Sequence, residues 1–299
     1  MDESSPLTCV AIAMPHVMTM SQTNTIRLYH LTIDRSAPDQ AAVPLATLQS
    51  DTSFAPVSLA LRRAPATIIA TVAYAFRRLH AGWCLGLQEV RMSASGTLLD
   101  SRLTSTIETP LESRYLRQTS SGRERWDISS RSASSLPIAL HPQLMSPPTS
   151  ISYDHPYLIC SLADNTVMCY LVTSNVTSLE ISTGRRLWGH TSAVSGAEVN
   201  NRGKAVSISS RGDEIRVWEL EDVMTTINNR KTSTEIKPVR AFSAVTAALA
   251  RRGQGLGLAV HELKRELALT RRWVGFDDEQ VVVLGDRDHK QIMSCYDFT

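Results

Sequence analysis

Long hydrophobic runs and a large excess of either charge are missing from this sequence of 299 residues. A membrane-spanning helix needs about 20 apolar residues. No uninterrupted apolar run approaches that length, so we predict no membrane span. The N-terminus carries Asp2 and Glu3 and no apolar segment of the signal-peptide kind, which predicts no secretory signal. A formal net charge of +2 provides no strong field, so a general nucleic-acid partner is not expected.

Cysteine is also scarce, with five scattered residues and no Cys-x-x-Cys pair. An odd and sparse set is typical of reduced thiols, so we expect a cytoplasmic or nuclear protein. Asp164 and Asn165 suggest a two-residue hairpin turn, and such a turn would place Cys160 opposite Cys169. We interpret these two residues as buried thiols rather than as a disulfide or a metal-binding pair.

No constellation of catalytic residues stands out in the sequence. The eight histidines occur singly, without the spacing of metal ligands. Gly253, Gly255 and Gly257 follow a helical pattern instead of a strand and have no Lys-Ser/Thr partner, which argues against a phosphate-binding loop. The acidic run at 277–279 is typical of a charged hairpin turn. We therefore predict no enzyme, no catalytic residue, no cofactor and no metal site.

Residues 183–222 carry the clearest local pattern in the chain. Four short runs of strand-forming residues are separated by turn residues and lie at 185–188, 194–199, 204–209 and 215–220. The last run alternates cleanly, with Ile215 and Val217 on one side and Trp218 on the other. Four short strands with tight turns predict one antiparallel sheet of the kind that forms a propeller blade.

This stretch resembles a WD40 repeat, whose signature is a Gly-His pair followed by a Trp-Asp pair. Gly189-His190 supplies the first pair and Trp218-Glu219 the second, with an acid that is one carbon longer. The resemblance implies a buried network of His190, Ser209, Asp213 and Trp218. The family usually has six residues from the acid to the Trp, whereas this sequence has five. A shortened turn or a missing network is therefore an open alternative.

Other stretches carry related strand patterns. Tyr29, Tyr170 and Tyr296 each stand where the repeat has its Trp, and a further unit without such markers is plausible between residues 55 and 103. Asp164 lies six residues before Tyr170, at the family's usual spacing, so the resemblance implies that it is the acid of its own blade. The chain stops soon after Tyr296, which is consistent with a propeller closed by pairing its first and last strands.

Two segments break the β pattern. Residues 104–148 are rich in Ser and Arg, which favours a flexible loop. Residues 236–272 carry an apolar stripe at helical spacing and predict a helical insertion before the last blade. We interpret that insertion as packed on the propeller rim, and a partner-binding helix is the alternative. The fold prediction is an all-β, WD40-type β-propeller, complete or incomplete, in one domain over residues 1–299.

The blade at Gly189 and the closing strands also look similar to the C-terminal propellers of fungal F-box proteins with WD repeats. In that family an F-box helix bundle binds the adaptor of an SCF ubiquitin ligase, and the propeller presents substrates. We expect no F-box in this chain, so the adaptor and cullin would be reached only through a missing segment. The resemblance implies protein partners at the propeller loops. A WD40 scaffold of another complex is the alternative, and an enzyme built on a propeller is a third reading.

Overall fold

The computed structural model describes residues 6–31, 42–49, 54–65, 67–78, 82–106, 144–210, 214–225, 233–236, 270–277, 280–287 and 290–297. Within these ranges, twenty β-strands and one short helix build five antiparallel sheets. The five sheets are the blades of a β-propeller. This architecture confirms the all-β, WD40-type propeller that the strand pattern predicts.

Each blade is a meander whose strands follow one another in sequence order. Blade 1 contains β1 (Leu7–Ala13), β2 (His16–Ser21), β3 (Thr25–Leu31) and β4 (Ala42–Gln49). Blade 2 contains β5 (Phe54–Ala64), β6 (Thr67–Arg78), β7 (Gly82–Ser93) and β8 (Leu98–Ser105). Blade 3 contains β9 (Pro148–Asp154), β10 (Tyr157–Leu162) and β11 (Thr166–Ser174). Its outer strands β12 (Leu179–Ile181) and β13 (Arg185–Trp188) pair with different halves of β11.

Blades 4 and 5 complete the described part of the fold. Blade 4 contains β14 (Val194–Val199), β15 (Lys204–Ser209), β16 (Ile215–Glu219) and β17 (Ser233–Ile236), with helix α1 (Leu220–Thr225) directly after β16. Blade 5 contains β18 (Thr270–Phe276), β19 (Gln280–Arg287) and β20 (Lys290–Asp297). The first strands of neighbouring blades pack together, β1 on β5, β5 on β9, β9 on β14 and β14 on β18.

Apolar layers fill the spaces between consecutive blades. Side chains alternate between the two faces of a strand, so one strand of a middle blade serves two layers. Leu158 and Met168 pack towards blade 2, whereas Ile159 and Val167 pack towards blade 4. Similar layers join blade 1 to blade 2 and blade 4 to blade 5. Full burial of each such Leu or Ile side chain contributes about 1.5–3 kcal/mol.

The β10–β11 hairpin differs from its predicted register by one residue. Cys160 lies opposite Met168, and Cys169 lies opposite Ile159. Asn165 has a left-handed backbone with φ of 67°, as in three-residue hairpin turns, and a shift of one residue turns side chains to the other face. The prediction that the two cysteines face each other is therefore wrong. Both are buried free thiols, and burial raises the pKa of each to about 12.

Strands of the structure extend into both segments that were predicted to interrupt the β pattern, so the bounds of these segments differ from the predicted ones. In the Ser/Arg-rich segment, β8 continues to Ser105, Leu144 pairs with Trp83, and β9 begins at Pro148. Residues 107–143 lie outside the described residues. For the predicted helical insertion at 236–272, Ile236 ends β17 and residues 270–272 belong to β18. Pairing of β18 with β19 outweighs the helical periodicity there, and residues 237–269 lie outside the described part of the chain.

The first and last described strands lie in two different blades, not in one shared blade as expected. In the described residues, β1 pairs with β2 in blade 1, and β20 pairs with β19 in blade 5. Blade 1 draws its four strands from residues 7–49 alone, so it already has a full sheet without a strand from the other end of the chain. The expectation that the first and last strands share a blade is therefore wrong.

Candidate functional site

The innermost strands of the five blades surround a central cavity of about 350 Å³. Every blade contributes to its wall, for example through Cys9, Val57, Ser150, Gly196 and Val274. Propeller loops open around the ends of such a channel, and loops on a rigid scaffold commonly carry binding residues. A ligand in the channel or at either of its ends could therefore contact residues from all five blades.

Glu198 is the charged residue among those that line this cavity. Burial raises the pKa of Glu198 to about 7, the charge of Asp154 adds to the rise, and a hydrogen bond from Ser152 opposes it. Burial also raises the pKa of Asp154, although the backbone N–H of Asn201 donates to its carboxylate over 3.0 Å. The channel wall thus holds a carboxyl group that changes charge near neutral pH.

The histidine of the Gly-His motif joins a buried chain of hydrogen bonds in blade 4. Trp218 Nε1 donates to Ser207 Oγ over 2.8 Å, and Ser207 Oγ lies 2.6 Å from His190 Nε2. With the His190 proton placed on Nδ1, Ser207 donates to Nε2 and completes the chain. This geometry corrects the prediction, which gave the serine position to Ser209. Both serines lie on one face of β15, and the pairing of Ala205 with Trp218 brings Ser207 closer to the indole.

Glu214 supplies the acid of this network. Its Oε2 lies 3.3 Å from His190 Nδ1 and accepts the Thr191 N–H over 2.8 Å, while its Oε1 accepts from Arg216 Nε over 2.8 Å. Burial acts to raise the pKa of Glu214, but the Thr191 N–H, Arg216 and His190 outweigh it and lower the pKa. Asp213, the predicted acid, lies outside the described residues. The glutamate side chain, one carbon longer than aspartate, reaches the histidine from a position nearer the Trp.

Asp164 has different partners from those that the repeat implies. Its carboxylate accepts from Thr166 Oγ1 over 2.5 Å and pairs with Arg186 Nη1 at 2.6 Å. The Arg186 guanidinium lies over the Trp188 ring, 5.7 Å from the ring centre, and Trp188 is 67 % exposed. Asp164 in the β10–β11 turn and Trp188 just before Gly189-His190 share one end of the propeller, here named the Gly-His end. Asp164 thus positions an arginine beside an exposed aromatic ring at that end.

Sequence reasoning missed a buried ion cluster between blades 2 and 3. The Glu89 side chain is 0 % exposed and pairs with Arg62, Arg91 and Arg102. Ser174, at the end of β11, donates to the same carboxylate, and two of the arginines donate to backbone oxygens of the β11–β12 turn. Burial acts to raise the pKa of Glu89, but hydrogen bonds from Ser174, Arg102 and Arg91 bring it down from 4.5 to about 2. The cluster therefore holds neighbouring blades together through a charged carboxylate.

A family model described as F-box protein pof12 beta-propeller matches residues 2–299. The chain belongs to this family. No curated protein matches the chain. A WD40 propeller generally serves as a scaffold for interaction with other proteins, and the F-box propeller family places this chain among such interaction modules.

Several solved structures are similar to this F-box propeller at low sequence identity. The structure of U3-55K has 11 % identity and a TM-score of 0.43, covering 95 % of this chain and 59 % of that chain. The crystal structure of RRP9 WD40 repeats has 12 % identity and a TM-score of 0.42, covering 94 % of this chain and 58 % of that one. The crystal structure of the Saccharomyces cerevisiae Sqt1 has 10 % identity and a TM-score of 0.40, with coverages of 94 % and 57 %. The chain thus spans less than two thirds of the length of these structures.

The described residues also bear on metal binding and on membrane crossing. Across those ranges, no three or more His, Cys, Asp or Glu side chains gather closely enough to hold a metal ion. Within the same ranges, no helix combines the length and the apolar character that crossing a membrane requires.

Proposed function

We propose that this chain is the substrate-recognition propeller of an F-box subunit of an SCF ubiquitin ligase. The observation that carries the proposal is the family match to an F-box protein propeller over residues 2–299. The propeller would hold the protein to be ubiquitinated, and an F-box would join it to the adaptor and cullin. We place this activity in the cytoplasm or nucleus, in keeping with five cysteines that form no disulfide in the structure.

The Gly-His end offers the side chains that protein partners commonly use as anchors. Trp and Arg are enriched among the residues that dominate binding energy at protein interfaces. Trp188 is exposed, Arg186 lies over its ring, and Asp164 holds the guanidinium in place. An aromatic ring fixed by such contacts loses little freedom on binding. We therefore assign Trp188 as an anchor for the substrate protein.

Affinity capture from a fungal extract with quantitative mass spectrometry tests this assignment. Trp188→Ala should reduce recovery of the captured proteins at least about tenfold, because an anchor residue contributes about 2 kcal/mol or more. Val176→Ala is the matched control, since Val176 is 84 % exposed but lies in the β11–β12 turn at the opposite end. The captured proteins should also become longer-lived in cells that lack this protein.

Two outcomes would count against the proposal. Equal recovery with Trp188→Ala and Val176→Ala would remove Trp188 as the anchor. Captured proteins whose lifetimes do not change in cells lacking this protein would instead favour a WD40 scaffold of another complex.

A further inference from the structure

Two histidines of blade 1 stand side by side, although 14 positions separate them in the sequence. His16 begins β2 and lies directly opposite His30 in β3. The next pair along the ladder is joined by a hydrogen bond from Leu31 N to Pro15 O. Since hydrogen-bonded and non-hydrogen-bonded pairs alternate in an antiparallel ladder, His16 and His30 form a non-hydrogen-bonded pair. The side chains of such pairs approach each other most closely.

The distance between the two rings matches that of two imidazoles on one metal ion. A metal–nitrogen bond of about 2.0–2.1 Å, extended by about 1.1 Å to the ring centre, puts each centroid about 3.2 Å from the ion. At a tetrahedral angle, two such centroids lie about 5.2 Å apart. The centroids of His16 and His30 are 5.1 Å apart, with an interplanar angle of 74°.

His16 also has unused capacity to bind a ligand. Its exposure is only 4 %, yet neither Nδ1 nor Nε2 has a hydrogen-bond partner among the described residues. A buried polar group without a partner is costly, and a metal ion would supply the missing partner. His30 is only partly buried, so the pair can be reached from solvent.

The positive charge of Arg63 lies close enough to His16 to act on it. Arg63 donates to the backbone oxygen of Met14 over 3.1 Å, which fixes its charge nearby. The positive charge of Arg63 repels a divalent cation, so it lowers the affinity of the histidine pair for a metal ion.

We propose that His16 and His30 form a two-imidazole chelate for a borderline divalent metal ion, namely Zn²⁺, Ni²⁺ or Cu²⁺. Imidazole suits these ions, and water molecules would fill the remaining coordination positions. The ion would tie β2 to β3 at the end of blade 1 that carries the β1–β2 turn, where Arg63 of β5 contacts Met14. The sequence alone did not predict a metal site, because His16 and His30 come together only when β2 pairs with β3.

Calorimetric titration of untagged protein with Ni²⁺ at pH 7.5 tests the site. Wild type should show one site that His30→Gln weakens more than about tenfold, since loss of a metal's supporting contacts alone typically costs 10- to 100-fold. His16→Gln should do the same, and His30→Gln keeps the test valid if the buried variant fails to fold. His155→Gln is the matched control, because His155 is a half-buried histidine that contacts Tyr153.

Two further readouts distinguish a chelate from mere contact between rings. Cu²⁺ bound to wild type should show two equivalent nitrogen couplings in its electron paramagnetic resonance spectrum, reduced to one in His30→Gln. Arg63→Gln should tighten Ni²⁺ binding, because a repelling charge is removed. Equal Ni²⁺ affinity in wild type and His30→Gln, or no binding to wild type, would overturn the proposal and leave an edge-to-face ring pair.

Discussion

Glu89→Gln should destabilise the propeller strongly, because it leaves three arginines partly buried around a neutral side chain. Glu89 is buried, and its pKa falls from 4.5 to about 2 in the folded chain. Each unit of pKa shift corresponds to about 1.36 kcal/mol, so the charged carboxylate stabilises the fold by about 3 kcal/mol at pH 7. Removing one partner of a buried ion pair typically costs about 3–5 kcal/mol, which agrees with this magnitude.

The pH dependence of this effect follows from the sign of the shift. A carboxyl group whose folded pKa is depressed contributes stability above its unfolded pKa, and that contribution is lost as the pH falls through the folded pKa. The difference between wild type and Glu89→Gln should therefore be constant above pH about 4.5 and shrink between pH about 4.5 and about 2. Loss of packing alone would give a difference that does not depend on pH.

Urea unfolding followed by tryptophan fluorescence measures both quantities. Asp100→Asn is the matched control, because Asp100 pairs with Arg102 at 3.5 Å but is 49 % exposed. An exposed ion pair contributes only about 0–1 kcal/mol, so this variant should stay close to wild type. A loss of less than about 1 kcal/mol in Glu89→Gln, or a loss that does not change with pH, would refute the assigned role of the cluster.

Other predictions concern blades 3 and 4. Ser207→Ala should cost about 1–3 kcal/mol in urea unfolding, because a buried indole N–H loses its acceptor. Ser195→Ala should reduce the free energy of unfolding by less, because the hydrogen bond from Ser195 Oγ to the Ile208 carbonyl is 3.4 Å long. Ionisation of Glu198 opposes folding because its pKa is raised to about 7. Wild type should therefore lose stability as the pH rises from about 4.5 to about 7, and Glu198→Gln should abolish that loss. A variant with the same pH profile as wild type would contradict this prediction. Gly184→Ala should lower the melting temperature, since the added Cβ would overlap a ring carbon of buried Tyr170.

Strand alternation and turn residues were sufficient to predict much of the propeller. The unit predicted between residues 55 and 103, which has no Gly-His or Trp-Asp marker, corresponds to blade 2, whose strands begin at Phe54 and end at Ser105. His190 and Trp218 meet in blade 4 as the repeat predicts. These features depend on short-range patterns, which a single sequence contains.

The errors arise where strand register decides the outcome. Ser207 and Ser209 share a face of β15, so alternation alone cannot choose between them; the pairing with β16 makes the choice. One additional residue in the β10–β11 turn moves Cys160 away from Cys169. Glu89 lies 85 positions from Ser174 in sequence, and its burial depends on the neighbouring blade, which no local pattern reveals.

The most direct test of the proposed function is recruitment of the SCF adaptor. Affinity capture should compare this chain with a form extended upstream through its reading frame, with the adaptor and cullin quantified by mass spectrometry. We predict that the extended form recovers the adaptor and cullin, that residues 1–299 alone do not, and that both forms recover the same substrate proteins. Absence of adaptor and cullin from both captures would contradict the ubiquitin-ligase proposal, and the proteins recovered would then identify the complex that this propeller serves.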